Sequence, residues 1–541
     1  MKKIYLFIYL LISYNVSAQL ISNPIPLDIE YEDGCVKSIM DNNNDLILYG
    51  YYNDYISINS NSHENEGIYL TKIDVNGNFI WSKVITKDFL GIAKVITDNE
   101  NNLICFFSAQ GNINFDEEID AAEFNSIHPD FPDMFIVKYS STGSFIWGMQ
   151  FHSTNDPPLY SDIGGLGIDL NNNIYFSSDA EFSIYETNNI GINGNNQEPV
   201  YSDVLGTRFF VILNENGELL NMTDEFTYAN VLSNENHTYT LSGSNITDSV
   251  FVSKRDENFN VIWNKNITPS SGFVTVGEWS THPSNLIYKN NNLYVQGAYG
   301  GSVSFENTNS NYMLNGGEAG IFIAKYDNNN GNISSVIHFS EVGDGCFFSQ
   351  FSVDNDNNIY AIGSSSNIDS LDIDPSDNNL IIPQRTMFIA KYNEIGNLIE
   401  SDVFSYQDGS NPMFFNGVFA YDNNLAVVGS YRGQPLNGLP TSLDKTKLFI
   451  TQSNTNTNLE EININLSITP NPAKNEIKII NDSPFNSIKI FDLNGYCLFD
   501  KELLFPMYEK TIMIEQLKEG MYIISLEFKD KVLNKKIIKV Y

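Results

Sequence analysis

Short apolar runs alternate with clusters of Asn, Asp and Gly along most of this chain. The runs are rich in Ile, Val, Tyr and Phe, and no sustained period of 3.6 residues appears among them. Such runs, bounded by turn formers, predict β-strands joined by tight hairpins. One segment recurs, first as Gly67-Ile68-Tyr69-Leu70-Thr71-Lys72-Ile73-Asp74, followed by Asn76-Gly77-Asn78 and Phe79-Ile80-Trp81. It returns as Met134 to Tyr139 with Gly143 and Trp147, as Arg208 to Asn214 with Gly217, and as Val250 to Asp256 with Trp263. Further copies are Ile321 to Tyr326 with Gly331, Met387 to Tyr392 with Gly396, and Leu448 to Gln452. Aligned on the first copy's Lys, they fall at 72, 138, 212, 254, 325, 391 and 452.

A second segment precedes each copy: an Asp/Asn-rich turn, then a short apolar strand ending in a small residue. Asp45-Leu46-Ile47-Leu48-Tyr49-Gly50 and Asn358-Ile359-Tyr360-Ala361-Ile362-Gly363 are examples. Each unit therefore holds about four antiparallel strands, and such units repeated radially make a β-propeller. The seventh unit lacks a fourth strand after Gln452. The stretch Gln19 to Ile29 stands where that strand would be, and closing the ring with it would hide an open edge. The expected fold is all-β: a seven-bladed β-propeller over residues 19–452, its N-terminal strand closing the last blade, then a small Ig-like β-sandwich. Trp81, Trp147 and Trp263 each fall nine residues after the aligned position; a repeating aromatic reads as packing between blades. The pattern resembles secreted bacterial β-propeller repeats with units of the form Asp-Asn-x-Asn-x-Ile-Tyr-x-x-Gly followed by Phe-x-x-Lys-Tyr and a Trp. The resemblance covers roughly residues 20–452. Departures are the short fourth unit and Asn221, Ser335 and Glu400 in place of Trp. It speaks to architecture and hardly to activity.

The last part of the chain reads differently. Ile468-Thr469-Pro470-Asn471-Pro472-Ala473 leads into Glu476-Ile477-Lys478-Ile479-Ile480, Ile488 to Gly495, Leu517 to Ile524, and a basic end at Lys535 to Tyr541. Alternating strands with turns at Asn494-Gly495 and Glu519-Gly520 predict a small sandwich. Order and spacing resemble the C-terminal type A sorting domain of the type IX secretion system, over residues 464–541. That resemblance implies a Bacteroidetes-type bacterium, export across the outer membrane and the secretion machinery as partner. It also implies removal of the tail with attachment to a surface glycolipid.

Charge separates the same two parts. Residues 19–459 carry 17 Lys and Arg against 54 Asp and Glu, whereas residues 460–541 carry 11 Lys against 12 acids. The Asn/Thr stretch at the join reads as a linker, residues 453–463. The whole chain has 541 residues and a net charge of −36. That acidity argues against a nucleic-acid partner, which needs clustered Lys and Arg. At the other end, Met1-Lys2-Lys3, the apolar run Ile4 to Ile12 and Val16-Ser17-Ala18 form a basic, apolar and small-residue series. It predicts a secretory signal peptide, residues 1–18, cut between Ala18 and Gln19. No stretch is long and apolar enough for a transmembrane segment.

Catalytic signatures are not visible. His63, His128, His152, His237, His282 and His338 show no metal-ligand spacing, and Cys35, Cys105, Cys346 and Cys497 form no zinc pattern. No catalytic or cofactor-binding residue is assigned. The acidic turns are the metal candidates: Asp354, Asp356 and Asn358, and Asp372, Asp374 and Asp377, place oxygens as calcium prefers. Asp41 to Asp45 and Asp116 to Asp120 are similar, but Asn and Asp also dominate plain turns for backbone reasons. Asp248-Ser249-Val250 and Asp369-Ser370-Leu371 resemble a short O-glycosylation acceptor. The expected function is a non-enzymatic binding or adhesion scaffold, secreted or displayed on the outer cell surface, with an extracellular glycan or protein ligand. The insertions Gly111–Asp133 and Ile184–Thr207 are its expected specificity elements. The alternative is a secreted polysaccharide- or peptide-degrading enzyme on the same scaffold.

Overall fold

The computed structural model describes residues 20–21, 24–86, 91–116, 122–125, 132–153, 163–178, 182–185, 188–189, 199–201, 209–223, 229–234, 237–243, 249–275, 286–308, 311–315, 320–340, 346–365, 371–374, 381–382, 386–405, 413–422, 424–433, 442–453, 467–491, 497–527 and 532–540. The expected leader with Ala18 and Gln19, most of the linker, His128, His282, Asp120 and Asp377 lie outside them. Among the described residues there are strands and turns and no α-helix. The chain divides into two compact parts, Met1–Thr455 and Asn456–Tyr541, called here the body and the tail.

The body is a β-propeller built from antiparallel four-stranded units in chain order. The first unit is Lys37–Met40, Leu46–Ile58, Gly67–Ile73 and Phe79–Thr86. The sixth, Cys346–Val353, Ile359–Ser365, Thr386–Tyr392 and Leu398–Ser405, repeats it strand for strand. The remaining groups of strands are numbered in chain order among the described residues. The seventh takes Met413–Tyr421, Asn424–Gly433 and Ser442–Gln452 from one end of the chain and Ile25–Gly34 from the other. Ile25 lies opposite Ile450, Pro26 opposite Phe449 and Glu30 opposite Lys447. The expected closing strand is thus in place. It also continues onto the first unit, Ile29 opposite Ile58. Ser453 still exchanges hydrogen bonds with Leu425, through its N–H and its Oγ, so pairing runs one residue past Gln452.

The cores lie between units. One buried cluster joins Ile47, Tyr49, Ile68 and Leu70 of the first unit to Phe107, Phe135 and Val137 of the second. Another joins Ile362, Met387 and Ile389 of the sixth to Phe415, Val418 and Val427 of the seventh. Both faces of the inner strands are covered, which is why these segments read as continuous apolar runs: all seven residues of Gly67–Ile73 are buried.

The repeating Trp residues hold neighbouring units together. Trp81 Nε1 donates to the Ser141 carbonyl at 3.0 Å, Trp147 Nε1 to Glu215 at 3.1 Å, and Trp263 Nε1 to Asn328 at 3.0 Å. Each acceptor sits in the turn between the third and fourth strands of the next unit. Where Trp is lost at Ser335, the Ser335 hydroxyl donates to the matching Glu394 carbonyl. The glycines of these turns are left-handed, and a Cβ would strike the neighbour's side chain: Gly143 (φ +89°) meets Trp81 at 2.9 Å and Gly331 (φ +67°) meets Trp263 at 2.8 Å. Gly77 faces Leu27 of the closing strand in the same way.

The tail is one sheet: Ser467–Thr469, Glu476–Phe491, Gly520–Glu527 and Val532–Lys539 in order, with Cys497–Met513 also on Glu476–Phe491. Ile477, Ile479, Phe485, Ile488, Ile490, Ile524 and Ile537 form its core. Asn471 Oδ1 accepts the Ile538 N–H at 2.9 Å and Ala473 exchanges bonds with Ile538 and Val540. The Pro-Asn-Pro segment is thereby tied to the final strand.

Gly331→Ala is expected to cost about 1–3 kcal/mol, from positive φ and overpacking together. Urea unfolding measures it, and the cost should shrink when Trp263 is also replaced by Ala, because the two share one contact.

Candidate functional site

Up-and-down pairing puts the first-to-second and third-to-fourth turns of every unit at one end of the body, and the other connections at the opposite end. The first end is built from locked Asx turns. Asp354 Oδ1 accepts the Asp356 and Asn358 N–H groups at 2.9 and 2.8 Å, and its Oδ2 accepts Asn358 Nδ2 and the Tyr360 hydroxyl. The same pattern holds at Asp41, Asp74, Asp98, Asp169 and Asp256. Asparagines then stitch turn to turn: the Asn42 N–H donates to Asn101 Oδ1, Asn99 N–H to Asn172 Oδ1, and Asn290 Nδ2 to the Asn355 carbonyl.

Behind two of these turns lie buried ion pairs. Lys72 Nζ is 2.7 Å from Asp41 and 3.2 Å from Asp45, and Lys138 Nζ is 2.9 Å from Asp98. The third unit has Ile212 at the Lys position, and there the Tyr175 hydroxyl bonds Asp169 Oδ2 at 2.8 Å instead. In the fourth unit Lys254 donates to the Asn328 carbonyl, and burial lowers its pKa against the pull of Asp327. The repeat Lys is thus a structural cation whose partner changes with the local sequence.

The metal candidates fall on two different connections of the sixth unit. Asp354, Asp356 and Asn358 form its first hairpin turn, where both Asp354 oxygens already receive donors from the turn. Asp372 and Asp374 follow its second strand, with Asp372 Oδ1 accepting the Asp374 N–H at 3.0 Å. Among the described residues no group of three or more His, Cys, Asp or Glu is arranged to hold a metal ion. Asp116 accepts Lys83 at 2.8 Å and the Phe145 N–H at 3.0 Å. Cys35, Cys105 and Cys497 are free thiols. Ser249 is buried, which shields it from a glycosylating enzyme in the folded chain.

At the opposite end, the connections between second and third strands fold back on the preceding unit. In the second unit, Asn112–Asn114 pairs with Glu123–Asn125 and buries Ile113, Phe115 and Phe124. In the third, Phe182–Tyr185 pairs with Phe145–Ser153 of the second. The described parts of both expected specificity insertions therefore act as straps between units. Their signal was in the sequence: Asn112 to Asp116 and Leu371 to Asp374 share an alternating apolar–polar pattern. Among the described residues at this end, Tyr312 and Met313 of the fifth unit's connection are exposed, and a second exposed group lies where the seventh unit meets the first. Lys445 sits 3.3 Å from the Tyr55 ring centroid and 3.5 Å from Glu30, with Lys447 3.2 Å from Glu30. Arg432 lies 3.9 Å from Asp33. Tyr51 and Phe414, beside this junction, are 44% and 43% exposed. The Cys35 sulfur and partial burial raise the Tyr51 pKa.

Residues 467–540 match the family model of the secretion system C-terminal sorting domain. The tail is a type IX sorting domain, and the chain is directed by that route to the cell surface or beyond. No helix among the described residues is long and apolar enough to cross a membrane. Solved structures with some likeness include the β-propeller domain of the Trilobed protease from Pyrococcus furiosus, at 8% identity, covering 68% of this chain and 94% of that one, with TM-score 0.29. A subtype N10 neuraminidase-like protein of A/little yellow-shouldered bat/Guatemala/060/2010 shares 10% identity over 80% of this chain and 97% of that one, TM-score 0.31. Prolyl oligopeptidase B from Galerina marginata shares 9% over 74% of this chain, which spans 55% of that enzyme, TM-score 0.30. Comparison with curated proteins returned no match.

Asp98→Asn should cost about 3–5 kcal/mol, because it leaves Lys138 buried without its counter-ion. Asp169→Asn, with no buried cation behind it, should cost about 1–2 kcal/mol; denaturant unfolding distinguishes them. The pH response follows from the turns. Partial burial raises the Asp74 carboxyl, but the Asn78 and Asn76 donors outweigh it and hold its pKa below the usual value; Asn260 does the same for Asp256. A depressed folded pKa contributes stability above the unfolded value. That stability should be lost as pH falls below about 3.9, read as a falling unfolding midpoint in acid.

Proposed function

We propose that this protein is a non-enzymatic binding or adhesion scaffold. It uses a seven-bladed propeller ring, carried to the outer cell surface or the medium by its sorting domain and started by a signal peptide cut after Ala18. An extracellular glycan or protein is its ligand. The observation that carries this reading is the contrast between the two ends of the body. One end spends its polar groups on its own turns. The other exposes Tyr51 and Phe414 beside the Lys445, Lys447, Arg432, Glu30 and Asp33 charges. Rigid aromatics flanked by charged hydrogen-bonding groups suit sugar rings and peptide segments. The acidic turns add calcium as a variable to be tested.

The test is the secreted full chain on an array of glycans and extracellular proteins, with and without calcium. A specific ligand is expected, and Tyr51→Ala and Phe414→Ala should each weaken it about tenfold or more. Calcium dependence would assign the turns at Asp354, Asp356 and Asn358 or at Asp372, Asp374 and Asp377. No ligand, together with turnover of a polysaccharide or peptide, would overturn the reading in favour of an enzyme.

A further inference from the structure

The junction of the first unit with the second and that of the fourth with the fifth are built from the same residue types. Gly111-Asn112-Ile113-Asn114-Phe115-Asp116 in the second unit matches Gly301-Ser302-Val303-Ser304-Phe305-Glu306 in the fifth. Both segments open on a glycine of positive φ, 74° and 77°. On the preceding unit's fourth strand, Lys83 stands two residues beyond Trp81, opposite Leu70, and Lys265 two beyond Trp263, opposite Val252. Tyr139 and Tyr326 follow the aligned positions 138 and 325 on the third strands.

At the first junction these groups close on one another. Lys83 Nζ is 2.8 Å from Asp116 and 5.1 Å from the Tyr139 ring centroid, and the Tyr139 hydroxyl donates to the Phe115 carbonyl at 3.0 Å. At the second they do not. Glu306, one methylene longer than Asp, is held by the preceding strand: the Asn266 N–H donates to its Oε2 at 3.2 Å, and its own N–H to the Asn266 carbonyl at 2.8 Å. Lys265 is 8% exposed, and its ammonium forms no ion pair among the described residues. The other buried lysines are satisfied: Lys72, Lys138 and Lys325 meet acids, and Lys254 and Lys539 donate to carbonyls. The Tyr326 hydroxyl, on a side chain with no exposed surface, has no hydrogen-bond partner either. Burial and Glu306 both raise its pKa, so it stays a protonated donor. Lys265 Cε rests over Gly331, in the turn that follows Tyr326. Two buried donors therefore lack an acceptor beside a carboxylate engaged elsewhere. At the rim stands Tyr312, opposite Phe305 and edge-on to its ring at 6.2 Å, 37% exposed.

We infer that the junction of the fourth and fifth units is a binding site for an acidic sugar, whose carboxylate accepts from Lys265 and Tyr326 and whose ring lies on Tyr312. The carboxylate supplies the counter-charge that Asp116 gives Lys83 at the sister junction, and the bond from the ammonium is charge-assisted. A neutral sugar would leave the ammonium uncompensated. An apolar ring face suits the exposed Tyr312. This site belongs to other units than the surface of Tyr51 and Phe414, so either can fail without the other.

The test uses the secreted full chain, with sodium glucuronate as the probe. Glucose serves as the uncharged control, and N-acetyl-aspartate N-methylamide as a carboxylate on a peptide backbone. Urea unfolding without ligand comes first. Lys83→Met should lower the midpoint, because it leaves Asp116 without its ammonium, whereas Lys265→Met should hold or raise it, because it removes an uncompensated buried charge. A fall in both means that Lys265 is paired, and overturns the site. Glucuronate is then titrated by calorimetry, with a Kd of about 1 mM expected. Lys265→Met and Tyr312→Ala should each weaken it about tenfold or more, and Tyr326→Phe, which removes one oxygen and keeps the packing, about threefold or more. Glucose binding as tightly as glucuronate, equal binding by Lys265→Met and the unaltered chain, or no binding at all overturns the inference. Tighter binding of the aspartate derivative overturns the sugar in favour of an acidic peptide.

Discussion

At four junctions a bulky fourth-strand side chain seats on a turn glycine of the next unit, Trp81 on Gly143, Trp263 on Gly331, Ile337 on Gly396 and Leu27 on Gly77, and the body depends on these contacts. A four-stranded sheet of this size has two apolar faces and cannot bury both alone. The turn glycine at Gly143 or Gly331 admits the indole because it has no Cβ, and an earlier carbonyl of the same turn, Ser141 or Asn328, accepts the indole N–H. One short turn therefore supplies the cavity and the acceptor together. Where the ring uses another residue, it keeps half of the device. Ser335 keeps the hydrogen bond and Ile337 fills the space over Gly396, while Leu27 fills that over Gly77.

The last of these contacts explains the split unit. The closing strand meets Gly77 as any fourth strand would, so the seventh unit and the first are joined by the same chemistry as their neighbours. Gln452 adds a hydrogen bond to the Val75 carbonyl in that turn. Because the strand comes from the opposite end of the chain, ring closure is the longest-range pairing in the body and the last for which the entropy cost is recovered. Unusual ionic groups gather there. Glu30, Lys445, Lys447 and Tyr55 tie the closing strand on one side, and Asp402 faces its approach on the other.

Much of this was legible in the sequence because the repeat fixes its phase by residue type. The aligned Lys, the glycine five residues on and the Trp nine residues on mark strand, turn and strand at Lys138, Gly143 and Trp147, and the pairing Lys138 to Trp147 has that register. The acidic turns were harder to interpret. Calcium loops and Asx turns draw on the same residues, and only the donors converging on Asp354 reveal what its oxygens do in the fold. The packing role of the described strap residues was not sought, because insertion length alone suggested ligand contact. Their alternating pattern at Ile113, Phe115 and Phe124 instead describes a hairpin with one buried face. The bond from the Ile21 N–H to Asp402 left no local trace, since its two partners stand 381 residues apart.

The same logic separates what holds the protein together from what remains available to a ligand. At the Asx-turn end, acids, amides and amines are committed to one another, often with burial behind them, so a ligand there would have to compete with well-formed internal bonds. At the junction of the seventh and first units, the salt bridges are partly exposed and therefore weak, and Tyr51 and Phe414 keep nearly half their surface in contact with solvent. Groups of that kind can change partners at small cost. Closing the ring and presenting a ligand surface then draw on one stretch of structure, because the strand that completes the seventh unit carries Glu30 and Asp33 into the exposed cluster.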